Sequence, residues 1–187
     1  MRGEFESQKA LYEYVPLFIP KPINFGQYVS DPMTFFYLCE FIEMTEEVPR
    51  PRDFCASLAV LHNRSMGEYN KFGFPSTRVQ GDILLETHVE DKWTDFFKKA
   101  MRHMIDQEAK VQGPSKEIND LTPALIDKVI PRLLSPLETG DEYITPCLVH
   151  GDLWDGNASV SVETGKPYVF DSCALWAHNE CKQMLKT

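Results

Sequence analysis

Between Leu148 and Asn157 the chain reads LVHGDLWDGN, a histidine, two carboxylates, an indole and a carboxamide arranged around Gly151 and Gly156. An ordinary surface turn uses the glycines and one Asx residue, but gains nothing from an exposed Trp or from a His before the first Gly. Asp152 and Asn157, five residues apart, have the spacing at which a phosphotransfer loop delivers a base and a metal ligand to one phosphate. Fourteen residues after Asn157 comes Asp171, at the end of the apolar run Tyr168, Val169, Phe170. Its side chain is expected to converge with the other two on one small volume. The chemistry calls for these types. A carboxylate orients the attacking hydroxyl and accepts its proton, and Mg²⁺ neutralises the phosphate oxygens. Mg²⁺ prefers hard oxygen ligands and takes few of them from protein, which suits Asp and Asn better than Cys or His. His-Gly-Asp alone would read as a turn; the correctly placed Asn and the later Asp make the functional reading stronger.

Several elements must carry these groups. From Thr145 onward, PCLVH, VSV at 160–162 and YVF at 168–170 are short β-type runs separated by turns, so Asp152 and Asn157 fall on a loop after one strand and Asp171 at the end of a neighbouring hairpin strand. Upstream, residues 4–15 place Phe5, Leu11, Tyr12 and Val15 near helical spacing. Three prolines follow, then a strand from Thr34. A helix is expected from about Pro51 to His62, and the clearest helix starts at Trp93, with Phe97, Ala100, Met101 and Met104 on its stripe, and stops at Gly113. Another is expected from Pro123, capped by Thr122 and kinked at Pro131.

The 187 residues are enough for one core, possessed of 43% hydrophobic and 25% charged residues, a globular mixture. The net charge of -9 without a basic cluster argues against nucleic acid as a partner. Five cysteines without a CxxC pair fit a reducing compartment. The start has no apolar signal core and no run approaches a membrane span, so a cytoplasmic protein with no membrane partner is expected.

HGDLWDGN together with YVFDSCALWAHNE resembles the fructosamine and ribulosamine kinases, the ketosamine-3-kinase family, within the wider aminoglycoside- and choline-kinase-like fold. FES near the start and GFPSTRVQG leading to DKWTDFFKKAMRH resemble its fungal-type members. The resemblance implies an α+β, protein-kinase-like fold with a partial small lobe at 1–44 and a mainly helical large lobe with a catalytic β-hairpin at 45–187. It implies ATP and Mg²⁺ as cofactors, and a glycated protein or small ketosamine as the acceptor of a phosphoryl group. Carried over by position, Asp152 is the catalytic base, Asn157 and Asp171 are the Mg²⁺ ligands, and His150 braces the loop. Trp154 either lies against the sugar or packs the loop onto a helix. Glu6 matches the helix acid that pairs with an ATP-binding Lys, with Glu4 as its rival. For His178 and Glu180 a helix-start packing and capping role is the safer reading.

The sequence also departs from that pattern. Only five residues precede Glu6, with no glycine-rich loop and no strand-borne Lys among them, and after HNE the text gives way to CKQMLKT. These departures imply a member truncated at both ends, with apolar faces left open to self-association. They also motivate the alternatives: an inactive pseudokinase module, or a related kinase of aminoglycoside- or choline-like acceptors.

Overall fold

In the computed structural model, residues 1–81, 83–85, 88–139 and 143–181 are described. Helix α1 (Arg2–Tyr14) begins the chain. An antiparallel hairpin follows, β1 (Pro22–Gln27) with β2 (Phe35–Cys39). Helix α2 (Pro51–Ser65) opens on a proline at its first position, where the missing N–H costs nothing, and runs one turn beyond His62. A two-residue pair, β3 (Val79–Gln80) with β4 (Ile83–Leu84), precedes α3 (Trp93–Gln112). Trp93 and Phe96 are the buried aromatic side chains of α3, whereas Met104 on the expected stripe is 38% exposed. The start of α3 is capped from outside: Thr94 N–H donates to Glu138 Oε1 at 2.6 Å.

The next helical segment starts earlier than the sequence predicts. α4 (Lys116–Ala124) is capped by Ser115, whose Oγ accepts from Ile118 N–H, and Pro123 lies inside it. Thr122 is no cap; its hydroxyl donates to the Ile118 carbonyl at 2.6 Å. A wide π-helical turn, Leu125–Val129, comes next, closed by Ile130 N–H on the Leu125 carbonyl, and leads into α5 (Ile130–Leu134). Pro123 and Pro131 each withhold an N–H from the helical ladder, and the widened turn lies between them.

The last quarter of the chain carries the arrangement that matters. β5 (Cys147–Val149) pairs with β8 (Leu175–Ala177), and β6 (Ala158–Val160) pairs with β7 (Pro167–Val169), both antiparallel. The chain leaves β5, forms the β6–β7 hairpin and returns to β8. The segments 150–157 and 170–174 therefore lie side by side. Ser65 pins β5 to α2: its buried Oγ accepts from Leu148 N–H at 2.9 Å and donates to the Leu61 carbonyl at 2.8 Å.

One apolar cluster joins Leu11, Val15, Phe18 and Ile19 to Leu61, Phe72, Leu148, Val169 and Leu175. Leu11, Leu61 and Leu148 are fully buried, each contributing about 1.5–3 kcal/mol. The chain around residue 44 is extended there, where Met44 pairs with Ser161, so the expected lobe boundary lies against the β6–β7 hairpin. Val29, Met33 and Phe41, in and beside the β1–β2 hairpin, are largely exposed. Among the described residues no helix is long and apolar enough to cross a membrane. The tail CKQMLKT lies outside the described residues after Cys181.

Candidate active site

Asp152 sits on the loop that leaves β5, and three main-chain ties fix that loop. Cys173 N–H donates to the His150 carbonyl at 2.9 Å, Phe170 N–H to the Asn157 carbonyl at 3.1 Å, and Asn157 N–H to the Trp154 carbonyl at 3.1 Å. His150 is the internal brace. Its Nδ1 accepts from Asp152 N–H at 3.3 Å and its Nε2 faces the Phe170 carbonyl at 3.1 Å. Those partners require a neutral ring protonated on Nε2. Burial favours the same state, pushing the His150 pKa down to about 4 against the smaller opposing pull of the Phe170 carbonyl, which accepts from Nε2.

This burial gives a pH-dependent stability. Unfolded, an imidazole titrates near 6.5, so between that value and about 4 the unfolded chain holds a proton that the folded chain refuses. The His150 contribution is fully present above pH 6.5 and is lost as pH falls toward 4, about 3 kcal/mol in all. Glu4 and Asp171 act in the opposite sense, because their carboxyls are raised and acidification relieves them. The urea midpoint is expected to drop between pH 7 and 5, and His150→Gln to flatten that drop. An equal slope in the variant would remove His150 as its source.

The side chains of Asp152 and Asn157 meet the main chain of Asp171 beside the brace. Asn157, nearly buried, donates through Nδ2 to the Asp152 carbonyl at 2.9 Å, to Asp152 Oδ2 at 3.3 Å and to the Asp171 carbonyl at 3.5 Å. Asp171 holds the left-handed backbone, φ 55°, that a non-glycine residue adopts at some cost. Its carboxyl is raised by burial first and then by the charge of Asp152, and its own charge, after burial, raises Glu4. The charge of Asp152 thus acts on Asp171 and that of Asp171 on Glu4.

On α1, burial and then the Asp171 charge raise the carboxyl of Glu4. Helical spacing gives the reason, since residues 4, 7 and 8 share a face. Ser7 Oγ accepts from Ala174 N–H at 3.1 Å and Gln8 Oε1 accepts from Ser172 Oγ at 2.9 Å, which turns that face toward the Asp171 segment. Glu6 is half-buried on α1, two residues away from Glu4 in sequence, and no described hydrogen bond or ion pair joins it to the loop.

Trp154 is 41% exposed and its indole covers Gly156: a Cβ on Gly156 would lie 2.3 Å from the ring. The indole therefore packs on its own loop while keeping part of its surface open. His178 is no helix residue; it follows β8, accepts at Nδ1 from Glu180 N–H at 3.3 Å, and its carbonyl receives Cys181 N–H.

Gln80 was not legible as a site residue. Its Nε2 donates to Asp152 Oδ1 at 2.6 Å from 72 residues upstream. Neighbouring Arg78, 4% exposed, donates through Nη1 to the Cys173 carbonyl at 3.3 Å. A groove of about 550 Å³ lies elsewhere, lined by residues including Phe18, Val60, Arg64 and Pro167, and none of the convergent groups lines it. Chemistry rather than cavity size picks out the loop.

Among the described residues no three His, Cys, Asp or Glu side chains gather to hold a metal by themselves. A donor set of one Asp and one Asn is still what Mg²⁺ takes from protein when phosphate oxygens complete its shell. The residues present fit that ion.

Comparison with known proteins bears on the family and the fold. A family model described as fructosamine kinase matches residues 1–186. The rice (Oryza sativa) protein-ribulosamine 3-kinase is 26% identical over 181 residues, 96% of this chain and 50% of its own length. The mouse (Mus musculus) ketosamine-3-kinase is 31% identical over 112 residues, 59% of this chain and 33% of its own length. The chain spans about half the length, or less, of such curated relatives. In structure, a Haemophilus somnus 129PT protein provisionally assigned as a fructosamine-3-kinase superposes with a TM-score of 0.68 at 20% identity, over 96% of this chain and 56% of the other. The aminoglycoside phosphotransferase APH(4)-Ia does so with 0.59 at 12% identity, over 95% and 58%. These likenesses show the α+β, kinase-like fold. With a family match over residues 1–186 on that fold, the chain belongs to the fructosamine kinase family.

Proposed function

We propose that this chain carries the catalytic loop of an ATP-dependent kinase that phosphorylates a sugar hydroxyl of ketosamines, the fructosamine or ribulosamine adducts of amines such as protein lysines. The observation that carries the reading is that Asn157 Nδ2 joins the Asp152 carboxylate, at 3.3 Å from Oδ2, to the main-chain carbonyl of Asp171, at 3.5 Å. Family membership and the names of the rice and mouse relatives support the acceptor class.

Asp152 would orient the acceptor hydroxyl and take its proton as the new O–P bond forms and the bond from the γ-phosphorus to the bridging oxygen breaks, with ADP leaving. Asn157 and Asp171 are the groups that would hold Mg²⁺, which neutralises phosphate charge when bound. Since Nδ2 of Asn157 is turned toward the acids, its carboxamide oxygen is the arm left for a cation. His150, kept neutral, fixes the loop without adding charge. Glu4 takes the helix-acid role, where it would orient a basic group on the nucleotide phosphates. The exposed part of Trp154 offers an apolar face to the sugar.

The test is ³¹P NMR of the folded chain with Mg·ATP and a fructosyl- or ribulosyl-lysine acceptor, with an aminoglycoside as the comparison acceptor. A new phosphomonoester signal from the ketosamine alone is the expected result. Transfer to the aminoglycoside alone would move the activity to another acceptor class, and no transfer from a sample shown to be folded would sink the kinase reading for this chain.

A further inference from the structure

Resting on that kinase reading, we infer that Gln80 is a positioning residue for the base: it holds the Asp152 carboxylate in the orientation that faces the acceptor. A base on a loop is useful only if both its carboxylate torsions are fixed, because a displacement of about 1 Å can cost about 100-fold in rate. Asp152 Oδ2 receives Asn157 Nδ2 at 3.3 Å, but Asn157 belongs to the same loop and moves with it. Oδ1 receives Gln80 Nε2 at 2.6 Å from β3, a different element, so this contact anchors the carboxylate to the rest of the fold.

The anchor is itself held. Gly73 exchanges two main-chain hydrogen bonds of 2.9 Å with Trp176 of β8, which ties the start of this segment to the partner strand of β5. Arg78 reaches the Cys173 carbonyl, whose own N–H binds the His150 carbonyl at the head of the loop. Gly3 of α1 lies so close that a Cβ there would come within 2.0 Å of the Thr77 carbonyl oxygen. The strap 73–80 thus touches α1, β8 and the base, and Gln80 is its contact with the base. Amide donation to a charged oxygen is stronger than a neutral hydrogen bond and has a direction, which suits it to fixing a carboxylate.

The experiment compares Gln80→Ala and Gln80→Glu with the unmodified chain in ketosamine phosphorylation, and follows the Gln80 side-chain amide by NMR. Gln80→Ala is expected to lower kcat about 10- to 100-fold with KM for acceptor and Mg·ATP within about twofold. Gln80→Glu keeps the shape but replaces the donor by a like charge, so its loss is expected to be at least as large. A packing role would survive that isosteric change, and wild-type kcat in Gln80→Glu overturns the inference. So does a raised KM with unchanged kcat in Gln80→Ala, which would make Gln80 a binding group. Independently of turnover, the Gln80 amide resonance is expected to move in Asp152→Ala, and an unmoved resonance would deny the contact. Absence of turnover in the unmodified chain would remove the kinase reading instead, leaving the NMR result to decide the contact.

Discussion

Asp152→Asn is expected to lower kcat for ketosamine phosphorylation about 1000-fold, within the range that general-base removal produces, while the chain keeps its fold. The carboxamide retains the shape of the carboxylate and can still accept from Gln80, so the network of 2.6 and 3.3 Å contacts is only partly disturbed. What it cannot do is take the proton of the attacking hydroxyl. Asp171→Asn gives the contrast. If Asp171 is a Mg²⁺ ligand, its loss is expected to weaken the apparent Mg²⁺ affinity, so raising Mg²⁺ recovers part of the rate. No amount of Mg²⁺ is expected to rescue Asp152→Asn. Steady-state kinetics across a Mg²⁺ titration, with urea midpoints for both variants, separates the two roles. If Asp152→Asn keeps more than a tenth of the activity, the base lies elsewhere.

The parts of this site legible in the sequence are those written locally. Asp152 and Asn157 sit five residues apart on one loop, and Asp171 follows a short β run that is a strand in the fold, so local spacing together with the β6–β7 pairing sets Asn157 and Asp171 at one end of that hairpin. Periodicity likewise places α1, α2 and α3. Gln80 was not legible, because its contact with Asp152 depends on the Gly73–Trp176 bridge, a pairing of two distant segments. Residues 73–81, rich in Gly, Pro, Ser and Thr, show no period that could announce it.

Which face of α1 meets the Asp171 segment was not legible for another reason. The α1 face that meets the Asp171 segment is made partly of Ser7 and Gln8, buried polar residues that a hydrophobic pattern assigns to solvent. α4 was misplaced because Pro123 reads as a helix start. In the fold Ser115 is the cap, and the wide turn after Ala124 lets the helical path continue past Pro123 toward Pro131.

Gly151→Ala is expected to be the most damaging small change in the loop, and comparison with Gly165→Ala shows why. Both glycines have positive φ, 80° and 65°, so an alanine at either position meets the left-handed penalty of about 1–2 kcal/mol. At Gly165, in the turn between β6 and β7, the added Cβ meets nothing within 4 Å. The expected loss there is that conformational cost alone. At Gly151 the Cβ would lie 1.9 Å from the Cys173 carbonyl oxygen and 2.6 Å from its carbon, both backbone atoms. Cys173 cannot retreat freely, since its N–H is bound to the His150 carbonyl and its carbonyl receives Arg78. The loop must move instead, for a total cost of about 3 kcal/mol or more. Moving it shifts Asp152, the next residue, away from Gln80, so the rate is expected to fall along with the urea midpoint. Equal midpoints for the two alanine variants would mean that the Gly151–Cys173 approach is not fixed in solution and does not set the position of Asp152.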